Sequence, residues 1–185
     1  MIDDVLTDAA RRMDKSVEAA KHEFTTIRTG RASAALLDRI QVGTYGTKMP
    51  VNQLATISVP EPRLLTITPF DKSIMKDIER SIQESDLGLT PSNDGQVIRL
   101  PIPQLTEERR KELVKQVRHM AEEGRVAARN VRRDAVHHLK KLEQDGDAGA
   151  DDVHRAEDRL QKVTDEHVQR IDAALKAKEA EIMEV

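Results

Sequence analysis

The stretch from Thr106-Glu107-Glu108-Arg109-Arg110-Lys111 to Leu142-Glu143-Gln144-Asp145 decides the fold. Pro103 and Leu105 lead into Thr106, whose hydroxyl is placed to cap free backbone N–H groups. Glu107 and Glu108 fill the first turn, where the helix dipole favours negative charge. No proline follows Pro103. Leu113, Val117, Met120, Gly124, Ala128, Val131, Ala135, Leu139 and Leu142 recur at spacings of three and four, which is one apolar stripe on one continuous helix. Such a rod is roughly 60 Å long, longer than a small domain is wide. Gly124 lies on the stripe, where a glycine costs about 1 kcal/mol relative to Ala. Its presence predicts close approach of a neighbouring helix; a flexible point is the alternative.

A second line shares the rod. Arg118, Arg125, Arg129 and Arg132 are separated by seven, four and three residues and fall on one side. That side lies roughly 100° round from the apolar stripe, so the core need not bury it. Arg109, Arg110, Lys111, Lys115 and Arg133 add charge, and residues 104–133 hold nine Lys/Arg against five Asp/Glu. Guanidinium groups are planar, always charged and able to bond phosphate bidentately. The plainer reading is a wet helix face with ion pairs, such as Glu122 with Arg118 or Arg125.

The chain has 185 residues, enough for one domain or two small ones. Charged residues make up 34% and aromatics 2%, with no Trp, a composition suited to helical bundles. The absence of cysteine excludes disulfides and thiolate chemistry and agrees with a reducing compartment. No apolar run has the length of a membrane span. The acidic start Met1-Ile2-Asp3-Asp4 has no secretory apolar segment, so a cytoplasmic protein is expected. The net charge of −3 hides segregation: residues 104–133 carry +4 and residues 143–185 carry −7. The basic stretch has its own character despite the acidic total.

Upstream, Leu6, Ala10, Met13, Val17, Ala20, Phe24 and Ile27 alternate steps of four and three, a heptad seam. Asp3 or Asp4 is expected to cap that helix and Gly30 to end it. Downstream, a third helix is expected from about Asp151, capped by Asp151 or Asp152. Its seam is Val153, Ala156, Leu160, Thr164, Val168, Ile171, Leu175 and Ile182, with a stutter around Thr164. Between the first two helices the pattern changes. Ile40–Tyr45, then Gly46-Thr47 and Lys48–Val51, read as a hairpin, and Ala55–Val59 and Leu64–Thr68 as strands with Pro60 and Pro62 in the turn between. Asp71 caps a helix with Ile74, Ile78 and Ile82 that ends near Gly88, and Val97–Leu100 forms a last strand. The expected fold is α+β: an elongated three-helix bundle, residues 1–30 and 105–185, with an inserted β/α/β domain, residues 31–104. Two strands of chain, Thr29-Gly30-Arg31 and Pro103-Gln104-Leu105, join them as a hinge.

The residues do not point to catalysis. His137-His138, His119, His154 and His167 lack the i,i+4 pairing of a helical metal site. Gly43-Thr44-Tyr45-Gly46 has neither the spacing nor the Lys of a phosphate loop. No nucleophile–base pair stands out, so no enzyme activity, metal or cofactor is expected. Arg28 and Arg31 flank Gly30, and with Arg109 and Arg110 they could gather from two segments near the junction, an arrangement suited to an anionic partner.

Four blocks carry a resemblance: Ile27-Arg28-Thr29-Gly30-Arg31-Ala32, Ser85-Asp86-Leu87-Gly88-Leu89, Leu105-Thr106-Glu107-Glu108-Arg109-Arg110-Lys111, and Val126-Ala127-Ala128-Arg129-Asn130-Val131-Arg132-Arg133-Asp134. In order and at matching lengths, they make the chain resemble the bacterial ribosome recycling factor family over its whole length. The resemblance implies an L-shaped molecule, similar in outline to tRNA. It implies action with elongation factor G and GTP on the 70S ribosome left after termination, as a monomer and without a membrane. The bundle would sit on 23S rRNA of the large subunit while the factor pushes the smaller domain and the subunits part. Arg132, with Arg129, Arg28 and Arg31, matches the family's rRNA-contacting positions; Arg110, Arg118, Arg125 and Arg133 are further candidates. With so few aromatics, phosphate contacts fit better than base stacking. A reading from another class is a helical adaptor that binds an acidic protein through the same arginines.

Overall fold

The computed structural model describes residues 1–184. Its elements run α1 (Ile2–Thr25), β1 (Gln41–Thr44), β2 (Thr47–Pro50), α2 (Val51–Leu54), β3 (Ala55–Glu61), β4 (Leu64–Pro69), α3 (Met75–Gln83), β5 (Ser92–Asn93), β6 (Ile98–Pro101), α4 (Glu107–Gln144) and α5 (Ala150–Met183). The chain divides into two compact units, one of Met1–Arg28 with the chain from Thr106 onward, the other of Thr29–Leu105.

The first unit packs α1, α4 and α5 on one another. Thr106 caps α4 as its sequence suggests: the Thr106 hydroxyl accepts from the Arg109 N–H at 3.1 Å. The other two starts differ from expectation. α1 begins at Ile2 and α5 at Ala150 without a side-chain cap, and Asp3, Asp4, Asp151 and Asp152 instead lie in the first turns. There they interact with the helix dipole rather than with one N–H. α1 also stops at Thr25, five residues before Gly30. The hydroxyls of Thr25 and Thr26 each donate back to a carbonyl of the last turn, at 2.6 Å.

The seams match the sequence pattern with local shifts. On α1, Ala9 is buried at 1% exposure, whereas Ala10 is half-buried. On α4, Ala121 takes the place expected for Met120. On α5, His167 is buried at 7% exposure in place of Val168. A histidine is tolerated there because both ring nitrogens have partners: Nδ1 lies 2.6 Å from the Val163 carbonyl and Nε2 lies 2.8 Å from the Asp14 carboxylate. Arg170 donates to the same Asp14 oxygen at 2.7 Å. The hydrogen bonds from Arg170 and His167 hold the Asp14 carboxyl below its ordinary range.

Gly124 sits where α1 and α5 both come close to α4. A Cβ there would lie 3.0 Å from Ala20 Cβ on α1 and 3.3 Å from Ile171 Cδ1 on α5. The glycine lets three helices approach, at the expense of helix propensity.

In the second unit, β1 and β2 form a hairpin whose turn residues Tyr45 and Gly46 both have positive φ, 52° and 75°. That matches the twist a two-residue turn requires. The other strands form an antiparallel sheet in the order β3-β4-β6-β5. Ile78 and Ile82 of α3 join Leu65, Ile67, Ile98 and Leu100 of the sheet in one core. β3 runs through Pro60 to Glu61, beyond the turn expected at Pro60. An edge strand with a register shift between Ser58 and Glu61 accommodates the missing N–H. α3 ends at Gln83, before Gly88, and Asp71 caps a short 3-10 turn ahead of it. The two-residue strand β5 had no periodic signal to reveal it.

Asp94 organises the turn before β6. Its carboxylate accepts from the N–H groups of Gln96 and Val97, each at 2.9 Å, and from Arg99 at 2.7 Å. The bond from Val97, then those from Arg99 and Gln96, hold its carboxyl far below the usual range.

Two outcomes are expected. Gly124→Ala should lower the bundle's thermal midpoint, because an overpacking cost of about 1–3 kcal/mol exceeds the ~1 kcal/mol gain in helix propensity. A raised midpoint by circular dichroism would contradict the close-approach account. The folded-state pKa of Asp94 is depressed, so its contribution is complete above the unfolded carboxyl pKa of about 4 and is lost as pH falls toward the folded value. Asp94→Ala should therefore flatten the loss of stability in denaturant melts between about pH 4 and pH 2 relative to the parent; an unchanged profile would remove Asp94 as its source.

Candidate nucleic-acid interface

The arginine line of α4 lies along its edge with α5. Arg118, Arg125 and Arg132 recur every seven residues, and α5 carries Asp165, Asp172 and Glu179 at the same interval. Because the helices run in opposite directions, the two series meet as rungs. Arg118 Nε donates to Glu179 at 2.6 Å, and Arg125 Nε donates to Asp172 at 2.7 Å. Arg125 also donates to Glu122 on its own helix at 2.9 Å. Of the two pairings expected for Glu122, the one with Arg125 forms and the one with Arg118 does not. Glu122 instead lies between Arg125 and Arg129, 3.5 Å from the latter.

The third rung differs. Arg132 Nη1 donates to the neutral Gln161 Oε1 at 3.1 Å, and Gln161 Nε2 donates to Asp165 at 2.9 Å. The amide stands between Arg132 and the carboxylate its register would give it. Arg132 therefore keeps its charge without a direct acidic partner among the described residues.

This separates the arginines that the sequence grouped together. The Glu179 hydrogen bond raises the Arg118 pKa. For Arg125, burial works against the charge, but the bonds from Asp172 and Glu122 outweigh it and the net shift is upward. Their rungs are close to electrically neutral, and each bridges α4 to α5. The sequence could not place them inside a charge ladder because the facing helix and its register were not yet fixed. Arg129 is half exposed, with a carboxylate at the outer limit of an ion pair. Arg133 is exposed on the next position round the helix, with no ion pair among the described residues. Arg109 is bound to Glu112 at 2.9 Å.

Arg28 is exposed at the end of the first unit, and Arg31 is exposed in the second. Arg110 is half-buried, and its Nε has no hydrogen-bond partner. The candidate hinge residues Thr29, Gly30, Arg31, Pro103, Gln104 and Leu105 all lie in the second unit, at its two ends. Gly30 has φ +76°, and a Cβ on it would lie 3.3 Å from Leu105 Cγ. The two segments are thus adjacent where they leave the unit. They are anchored just inside it: Ala32 N–H donates to Pro62 O at 2.7 Å and Ile102 N–H to Arg63 O at 2.8 Å.

The residues that sequence reasoning missed are Gln161, Asp165, Asp172 and Glu179. Their signal was present as an acidic heptad series complementary to the arginine series. It becomes readable once α4 and α5 are taken as antiparallel neighbours joined by a short turn.

Comparison with known proteins gives a consistent result. The family model described as "Ribosome recycling factor" matches residues 20–183. A ribosome-recycling factor from Rubrobacter xylanophilus is 62% identical over 180 residues, 97% of each chain. One from Halalkalibacterium halodurans is 58% identical over 185 residues, all of both chains. A solution structure of the ribosome recycling factor is similar at a TM-score of 0.72 and 44% identity, covering 100% of this chain and 98% of that one. A second structure aligns at a TM-score of 0.62 and 44% identity over all of both chains. It is described as models of the T. thermophilus ribosome recycling factor and E. coli elongation factor G bound to the E. coli post-termination complex. With a family model matched across nearly the whole chain and full-length relatives above half identity, the chain belongs to the ribosome recycling factor family.

Proposed function

We propose that this chain splits the post-termination 70S ribosome into subunits together with elongation factor G and GTP. Its three-helix unit docks on 23S rRNA of the large subunit. Its second unit moves about the paired segments Thr29-Gly30-Arg31 and Pro103-Gln104-Leu105. Family membership supports the task, and the relative placed with elongation factor G on a post-termination complex supports the partners. The chain acts in the cytoplasm as a monomer, and among the described residues no helix is long and apolar enough to cross a membrane. The chain itself performs no chemistry; hydrolysis of GTP belongs to the partner factor.

The observation that carries the RNA contact is the third rung. Arg132 is the member of the line whose charge meets an amide instead of a carboxylate. Arg129 and Arg133 flank it, and Arg28, Arg31 and Arg110 provide further cations toward the ends of the units. Such contacts release counterions, carry no sequence preference and weaken with salt. Arg118 and Arg125 support them from behind, by fixing α4 against α5 so that the edge presenting Arg132 does not yield under load.

Binding to purified large subunits over a salt titration tests this reading. Arg132→Ala should weaken binding and reduce the slope of log K against log[salt] by about 1. Arg118→Ala should change that slope less, because Glu179 already balances its charge. Both variants should keep the parent's helicity. Coincident titrations for Arg132→Ala and parent would remove the docking role, and association with only an acidic protein would favour an adaptor.

A further inference from the structure

The third rung of the charge ladder is held open by one side chain. Each step of seven along α4 is matched by a step of seven back along α5. The register that joins Arg118 to Glu179 and Arg125 to Asp172 therefore assigns Asp165 to Arg132. Asp172 reaches Arg125 at 2.7 Å, so an aspartate is long enough to close a rung. Asp165 nonetheless stays apart from Arg132. Gln161, four residues earlier on α5, stands between them. Its oxygen accepts from Arg132 Nη1 at 3.1 Å and its nitrogen donates to Asp165 at 2.9 Å.

An amide is suited to that place. It offers an acceptor to the cation and a donor to the carboxylate at once, which neither a carboxylate nor an apolar side chain can do. A glutamate here would close the rung as in the first two. A short apolar residue would leave Arg132 and Asp165 facing one another, and opposite charges at that range attract. On α4 the positions three and four residues from Arg132 are Ala128, Arg129, Ala135 and Val136, none of them acidic. Arg125, by contrast, has Glu122 on its own helix as well as Asp172. The acid that can neutralise Arg132 thus comes from α5. Gln161 and Asp165 are both exposed, so neither is held in place by the core.

We propose that Gln161 is a positioning residue for the RNA contact: it steadies the Arg132 guanidinium with a neutral acceptor and keeps Asp165 from closing the rung. This role rests on the docking contact proposed above for Arg132. One hydrogen bond to an amide restricts the long arginine side chain without balancing its charge, so less freedom is lost when a phosphate binds. The other N–H groups of Arg132 have no partner among the described residues and remain available to phosphate oxygens.

Purified large subunits are titrated with the full chain over a range of salt concentrations. Gln161→Ala should reduce the slope of log K against log[salt] by about 1, as Arg132→Ala does, because Asp165 then closes the rung. Adding Asp165→Asn to Gln161→Ala should restore the parent's slope, and this gain should exceed the one that Asp165→Asn gives in the parent. In the Arg132→Ala background, Gln161→Ala should change nothing further. A merely structural Gln161 would lower the thermal midpoint and would not be rescued by Asp165→Asn; alanine at this exposed helical position should keep the helicity intact. A parent-like slope for Gln161→Ala beside a reduced one for Arg132→Ala, or equal gains from Asp165→Asn in both backgrounds, would overturn the role of Gln161 and leave the docking contact standing. Coincident titrations for Arg132→Ala and the parent would remove the contact itself, and the role of Gln161 with it.

Discussion

The close approach of three helices at Gly124 is the constraint on which the bundle depends. A single added methyl group would press on both Ala20 and Ile171. With α1 and α5 drawn to that point, α4 has one direction left for its apolar stripe and one register against α5. The register aligns Arg118 with Glu179 and Arg125 with Asp172, and it leaves Arg132 facing Gln161. The neutral partner of Arg132 and the close contact at Gly124 thus belong to one packed register, about two turns apart on α4.

The same logic explains how an acidic protein can present a cationic edge. The acidic helix α5 does not neutralise the arginine line uniformly. Its carboxylates close two rungs, and at the third the Gln161 amide intervenes before Asp165. Four more of its carboxylates, Asp151, Asp152, Glu157 and Asp158, lie in its first turns, next to the α4–α5 turn. Net charge is a poor guide to such a molecule; the distribution along its longest element is informative.

Much of the architecture was legible in the sequence, because long helices repeat their instructions many times. The Thr106 cap, the span of α4, the existence of the β1–β2 hairpin and the reason for Gly124 could all be read from spacing and turn chemistry, although the hairpin turns at Tyr45-Gly46, one residue earlier than the Gly46-Thr47 expected. The misses have physical causes. Gly30 looked like a helix terminator, yet α1 ended at Thr25, where threonine hydroxyls take over the last carbonyls. His167 replaced Val168 in the core because the Val163 carbonyl of its own helix and Asp14 on a different helix supply its polar partners. Pro60 remained in a strand because that strand is an edge. Among the arginines, the sequence supplied the line but not the acids facing it, since those depend on a register set by tertiary contact. The family resemblance implies Arg132 and Arg129 as contact positions, and the charge ladder sets Arg132 apart from Arg118 and Arg125 by its neutral partner Gln161.

The central claim is that a stiff, RNA-gripping body lets a partner factor force two subunits apart. Light scattering from purified 70S ribosomes in the post-termination state measures this directly. Scattering should fall when this chain, elongation factor G and GTP are all present, and should not fall when any one is omitted. A fall of the same rate and extent without this chain, or no fall with all three, would contradict the account.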